Sequence, residues 1–262
     1  MARSLMFSLL VLTSLTWADS FDKPVRKQTL DLGPSPGSPS VRARVNCYFF
    51  PEFMVKEVDM GEVGADRLSI LSVKPQSSGK CVKAADAAEK IINSDDWSGY
   101  FMGVKKNYIF FGAADHINSS LPFAVFDADT GKKVFEDSAK ADIAFTALAD
   151  GSLSMSYVRV VGEDCFILKE PACWERMRKK YGLGNAPAPD CRKGYTDSAE
   201  SMAKGRCSEK KDKIACAAKE MPLALSQAEE SPSVISYTVE TTLGAAAVIK
   251  PVEGEIRCWP AD

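Results

Sequence analysis

Catalysis needs a nucleophile beside a base, a facing pair of acids or a set of metal ligands, and this chain offers few candidates for any of them. His116 is the single histidine. It sits in Ala113-Ala-Asp-His-Ile-Asn-Ser-Ser, which reads as the loop after a strand, with Asp115, Ser119 and Ser120 close in sequence. The partners of a hydrolase triad meet in space, so adjacency along the chain is no sign of one. No Gly-x-Ser-x-Gly elbow is present. A solvated loop histidine is the default reading. Asp127-x-Asp129-x-Gly131 opens like a calcium loop, but its glycine comes one place early and Ser138 stands where the last carboxylate should be. A hairpin turn explains these residues better. The carboxylate doublets Asp95-Asp96, Glu136-Asp137, Glu163-Asp164 and Glu229-Glu230 are not the pair a glycosidase holds across a cleft, because neighbours on a strand point to opposite faces. With one histidine, no Cys-x-x-Cys and no glycine-rich phosphate loop, no zinc set is available. No metal, cofactor or catalytic residue is therefore assigned. Asn118-Ser-Ser fits an N-glycosylation acceptor.

The cysteines say more. There are eight, and Cys165, Cys173, Cys191, Cys207 and Cys216 crowd into one stretch. Residues 1–18 read as a secretory signal peptide: a basic start, the apolar run Leu5 to Leu12, and Thr16 and Ala18 before the cut. That run is short of the roughly 20 residues needed to span a bilayer, and no later apolar run is long enough to cross one. The mature chain is expected to be secreted or periplasmic, with no transmembrane segment. An even cysteine count after export points to a disulfide framework. Sequence alone cannot choose the connectivity. The expected pairing is Cys47–Cys81, Cys165–Cys173, Cys191–Cys207 and Cys216–Cys258, the last tying the C-terminus to the cysteine-rich stretch.

Charge supplies the one binding hypothesis. The whole chain is close to neutral, at −2, yet residues 165–221 hold thirteen Lys/Arg against eight Asp/Glu. Arg176, Arg178, Lys179 and Lys180 cluster on one helix, and Arg192-Lys193, Lys204, Arg206 and Lys210-Lys211 follow. Arg176, Arg178, Lys179, Lys180, Arg192 and Lys193 are the candidate binding residues. Such a patch suits an acidic protein, a cell-envelope polyanion or an anionic membrane surface; no nucleic-acid partner is expected. The competing reading is intramolecular, with these cations packed on an acidic β-domain or simply solvated. The function expected is that of an exported, non-catalytic binding protein. The runner-up is an extracytoplasmic hydrolase acting through carboxylates or Asp115 and His116.

The elements that must position these groups alternate in kind. Residues 19–40, with Gly33-Pro-Ser-Pro-Gly-Ser-Pro-Ser, read as a flexible arm. From Val41 a period of two begins, continued by strands near residues 53–58 and 68–73, the last closed by Pro75 and a turn at residues 77–79. Ala84, Ala87, Ala88, Ile91 and Ile92 fall at helical spacing, which predicts a helix over 83–93. Strands at 100–104 and 108–112 follow, then hairpins turning at Asp127–Gly131 and Asp150-Gly151. Pro171 opens a helix whose Trp174, Met177 and Tyr181 share a face. Asp197 with Glu200 resembles a capping box for a short second helix. Ser208 is the expected cap of a third helix, which Pro222 should end. Strands at 234–243, 246–249 and 255–259 close the chain. The fold expected is mainly β (α+β): an antiparallel sheet or sandwich built from hairpins, forming one domain over 41–262, with a helical disulfide-rich insertion at 165–221.

Overall fold

The computed structural model describes residues 20–72, 79–92, 94–244 and 246–262. The expected leader and most of the turn after residue 72 lie outside them. The chain is mainly β, with antiparallel sheets built from hairpins and three helices.

The first sheet holds β1 (Arg26–Pro34), β2 (Arg42–Phe49), β3 (Phe53–Asp59), β4 (Arg67–Ser72) and β5 (Lys90–Ile92) in sequence order. The second contains β6 (Tyr100–Lys105), β7 (Tyr108–Gly112), β8 (Leu121–Asp127), β9 (Lys133–Ala139), β10 (Ala144–Ala147), β11 (Leu153–Gly162), β12 (Ser233–Leu243), β13 (Val248–Pro251) and β14 (Arg257–Pro260). Its order runs β13-β12-β11-β9-β8-β7-β6, with β10 beside β11 and β14 beside β12. Between β11 and β12 the chain inserts α1 (Pro171–Lys180), α2 (Cys191–Arg206) and α3 (Lys213–Glu229).

Alternation along β7 and β8 builds two cores from the same strands. Ile109, Phe111, Ala124 and Phe126 face the first sheet, where they meet Phe53, Val55, Leu68 and Ile70. Phe110, Phe123 and Val125 face the other way, into a larger core with β11, β12 and the helices. The second sheet curls around that core: rings on β7 and β10, which are not neighbouring strands, come within 5.4 Å between Phe110 and Phe145. Between β9 and β11 the ladder shrinks to the single pair Arg159↔Ala139. Side chains close the junction instead. The Arg159 guanidinium lies 2.8–2.9 Å from both Asp137 oxygens, Tyr157 Oη donates to Asp137 at 2.6 Å, and Arg159 also donates to Tyr237 Oη at 3.2 Å.

Residues 19–40 do not form the flexible arm their composition suggests. Beyond residue 19, which is outside the described part, Phe21 packs its ring 5.2 Å from Phe110 and 5.0 Å from Phe145. The space comes from Gly103, where a Cβ would sit 2.4 Å from that ring. Asp22 pairs with Lys105 at 2.9 Å, and β1 then zips antiparallel onto β2. The Pro/Gly/Ser cluster is the connection of that hairpin, with Gly33 at φ 96° beside the bulge.

The helix expected over 83–93 does not form in the described residues up to 92. An isolated alanine-rich segment of that length is marginal in water, and tertiary bonds claim this one. Cys81 is joined to Cys47, Lys56 and Glu89 form an ion pair with both side chains 1% exposed, and 90–92 become β5 on β4. Lys56 Nζ also donates to Ala84 O at 2.9 Å, and Ser69 Oγ to Glu89 at 2.9 Å. A buried ion pair needs such extra bonds to offset its desolvation.

Two helix boundaries and two disulfides also depart from expectation. α2 begins at Cys191 under an Asp190 cap, so Asp197 lies inside it and pairs with Lys193 rather than capping. α3 is capped by Asp212, not Ser208, and runs through Pro222 to Glu229. The observed disulfides are Cys47–Cys81, Cys165–Cys173, Cys191–Cys258 and Cys207–Cys216. Cys191 takes Cys258 because the first turn of α2 lies directly on β14. At Gly194 a Cβ would stand 1.9 Å from the Cys258 carbonyl oxygen, so only glycine permits that approach. Cys207 and Cys216 flank the turn between α2 and α3, which brings them together locally.

Candidate functional site

The hydrolase candidates are not brought together. His116 is exposed. Ser120 Oγ is instead 2.6 Å from Ser138 Oγ and donates to Ile117 O at 2.7 Å. The Asp127 carboxylate accepts from Thr130 N and Oγ1 at 2.8 Å, and Asn107 Nδ2 donates to both Asp127 and Asp129. These are the bonds of a hairpin turn.

A cleft of 840 Å³ lies between α2 and β14 and includes Lys140, Lys193, Asp197, Arg257, Trp259 and Asp262 in its lining. Lys193 pairs with Asp197, and Arg257 with Glu255. Asp197 holds the pKa of Lys193 up, and the Glu255–Arg257 pair moves Arg257 up and Glu255 down. Proton transfer needs groups brought toward neutrality, and these are held more firmly charged. Lys140 Nζ lies 4.2 Å from the centre of the Trp259 ring. The cleft therefore reads as a charge-paired seam that seats α2 on the sheet.

The predicted basic residues divide between two helices. On α1, Arg176 pairs with Glu170, Arg178 with Glu175, and Lys180 with Glu163. Arg178 also donates to Gly184 O, and Tyr181 Oη to Glu163. Glu163 is held below its ordinary pKa by Lys180 first and Tyr181 second. Lys179 is exposed. Residues 163–180 carry five Lys/Arg against four Asp/Glu, so little field survives there. Arg192 and Lys193 are exposed on the first turn of α2.

The uncompensated charge lies elsewhere, at the far end of the helical hairpin. α2 and α3 pack on each other, with the small side chains of Ala199, Ala203, Ala224 and Ala228 buried in the core. Tyr195 Oη ties α2 to the start of β12, donating to Ser231 O at 3.0 Å and lying 2.9 Å from Ser233 Oγ. From there the hairpin runs outward, and every residue from Ser208 to Ala215 is exposed. Cys207–Cys216 closes the turn. The Asp212 carboxylate accepts from Ala215 N at 2.9 Å and so fixes the start of α3.

No family model, curated protein or solved structure matches this chain. The tip must therefore be read from its own residues. Residues 204–219 hold six Lys/Arg against two Asp/Glu. Lys204 pairs with Glu200 and Arg206 with Glu220. Lys210, Lys211, Lys213 and Lys219 have no ion pair or side-chain hydrogen bond among the described residues. Beside them Ile214 is 86% exposed, the most exposed large apolar side chain described. Sequence reading noted Lys210-Lys211 in the basic stretch but left them out of the candidate binding residues, and its Ser208 cap folds residues 209–213 into helix. Asp212, three residues before Ala215, is the cap that would have exposed the turn.

Four disulfides and no free cysteine among the described residues point to an oxidising, extracytoplasmic compartment. No helix among the described residues is long and apolar enough to cross a membrane.

Proposed function

We propose that this is an exported, non-catalytic binding protein, secreted or periplasmic, that uses its disulfide-tied basic insertion to contact an acidic partner. The observation that carries the reading is the lysine cluster at the α2–α3 tip, where Lys210, Lys211, Lys213 and Lys219 make no ion pair among the described residues while the α1 cations are largely paired. Charges left unpaired on a rigid, convex support attract an oppositely charged surface and lose little entropy on contact. The contact surface is thus centred on Lys210, Lys211, Lys213 and Lys219, with Lys179, Arg192 and the ion-paired Arg176, Arg178, Lys180 and Lys193 contributing less.

The test is retention of the disulfide-intact protein on immobilised dextran sulfate across a salt gradient. Lys210→Glu/Lys211→Glu/Lys213→Glu/Lys219→Glu should elute at clearly lower salt than wild type. Arg176→Glu/Arg178→Glu/Lys179→Glu/Lys180→Glu should shift elution less. An unchanged elution position for the tip variant refutes the proposal.

A further inference from the structure

Resting on that reading, we infer that the surface met by the α2–α3 tip is a lipid bilayer with anionic headgroups, and that Ile214 is the side chain that enters it. Three observations favour a bilayer over an acidic protein. The first is shape. The tip is the turn of a helical hairpin with residues 208–215 all exposed, so it meets a partner as a projection. A bilayer surface accommodates a convex probe without matching relief.

The second is residue type. Between residues 204 and 219 the cations are five lysines and one arginine, with no aromatic residue. Protein interfaces are depleted in lysine, and their binding energy concentrates in Trp, Tyr and Arg. Lysine is a compact point charge on a flexible stem. It suits a laterally averaged layer of phosphates, toward which it can extend from an apolar base.

The third is the arrangement of the apolar residues. Ile214, Ala218 and Pro222 recur at every fourth position along α3, so they share one face, and all three are exposed. Ile214 leads that face at the tip, with Lys210, Lys211 and Lys213 immediately before it in sequence. This is the pattern of interfacial binding, with an aliphatic side chain at the acyl boundary and cations at headgroup level. Cys207–Cys216 and the Asp212 cap hold the arrangement in place before contact, so little order has to be created on binding.

The experiment is co-sedimentation of the full, disulfide-intact protein with vesicles of phosphatidylglycerol and phosphatidylcholine, and with phosphatidylcholine alone. Binding is expected only with the anionic vesicles and should fade as salt shortens the Debye length from about 10 Å at 0.1 M to about 3 Å at 1 M. Ile214→Ser should weaken vesicle binding about tenfold or more, the scale expected for burying one aliphatic side chain. It should leave elution from dextran sulfate unchanged. Ile214 is exposed, so the substitution does not touch the core. Lys210→Glu/Lys211→Glu/Lys213→Glu/Lys219→Glu should abolish vesicle binding and lower the salt at which the protein leaves dextran sulfate. Retention on dextran sulfate without binding to anionic vesicles overturns the lipid inference and leaves the binding proposal standing. Vesicle binding that Ile214→Ser does not weaken also overturns it. Failure on both surfaces sinks both.

Discussion

Asp137→Ala removes the group that holds β9 to β11 where the ladder is reduced to one residue pair. The carboxylate side chain is 5% exposed and that of Arg159 17%. Deleting one partner of a buried pair costs about 3–5 kcal/mol, chiefly because the other charge is left buried and uncompensated. Two features argue for the lower end, about 3 kcal/mol: Arg159 retains Tyr237 Oη at 3.2 Å, and it is not fully buried. For a chain of this size each kcal/mol moves Tm by about 2–4 °C, so Tm should fall by about 6–12 °C. The assay is thermal melting by calorimetry with the disulfides intact. Tyr157→Phe, which deletes the 2.6 Å hydrogen bond to Asp137 and the longer 3.3 Å contact with Thr241 Oγ1, should cost about 1 kcal/mol. Adding Arg159→Met to Asp137→Ala should restore part of the loss, since it removes the stranded charge. A fall below about 3 °C for Asp137→Ala, or no recovery in the double variant, would refute the idea that this cluster replaces the missing ladder.

Gly194→Ala should lower stability by more than about 2 kcal/mol, because its Cβ meets a backbone oxygen 1.9 Å away rather than a flexible side chain. Gly205→Ala, with nothing within 4 Å, should be neutral or stabilising by up to about 1 kcal/mol; parallel urea titrations check both. Replacing Cys207 and Cys216 by serine opens a closure spanning nine positions. It should cost up to about 3 kcal/mol, speed amide exchange around the tip and weaken retention on dextran sulfate. Burial raises the pKa of Tyr157, Tyr181, Tyr195 and Tyr237, and pushes Tyr48 up to about 12 with a smaller push from Glu57. The folded state therefore keeps protons that the unfolded chain gives up near pH 10. The contribution is intact below about pH 10 and is lost as pH rises toward 12. A Tm that stays flat from pH 9 to 12 would contradict it.

Strands whose burial depends on local alternation were readable from the chain itself. β2 shows this, with Ala43, Val45 and Cys47 buried, and so do the hairpins at Gly131 and Gly151, whose positive φ requires the turn residues found there. Segments settled by distant partners were not. The alanines at 84–88 carry a good helical pattern, but Glu89 is drawn to Lys56 thirty-three residues away. The Pro/Gly/Ser cluster around residue 36 has the composition of a linker, yet β2 lies just beyond it to pair with β1. The basic insertion was legible as an excess of cations. Which of them stay uncompensated was not, because Glu163 and Glu170 reach the α1 cations only in the folded chain.

Phe21 docks against Phe110 and Phe145, filling the space above Gly103. The earliest described part of the chain therefore has no resting place until more than a hundred further residues have been made. Folding cannot proceed strand by strand from the first residue, and closure of this contact comes late, in keeping with the slow kinetics of long-range pairings. Until then the aromatic face formed by Phe110 and Phe145 stays uncovered. A chain with that order of assembly gains from being kept unfolded until it is whole.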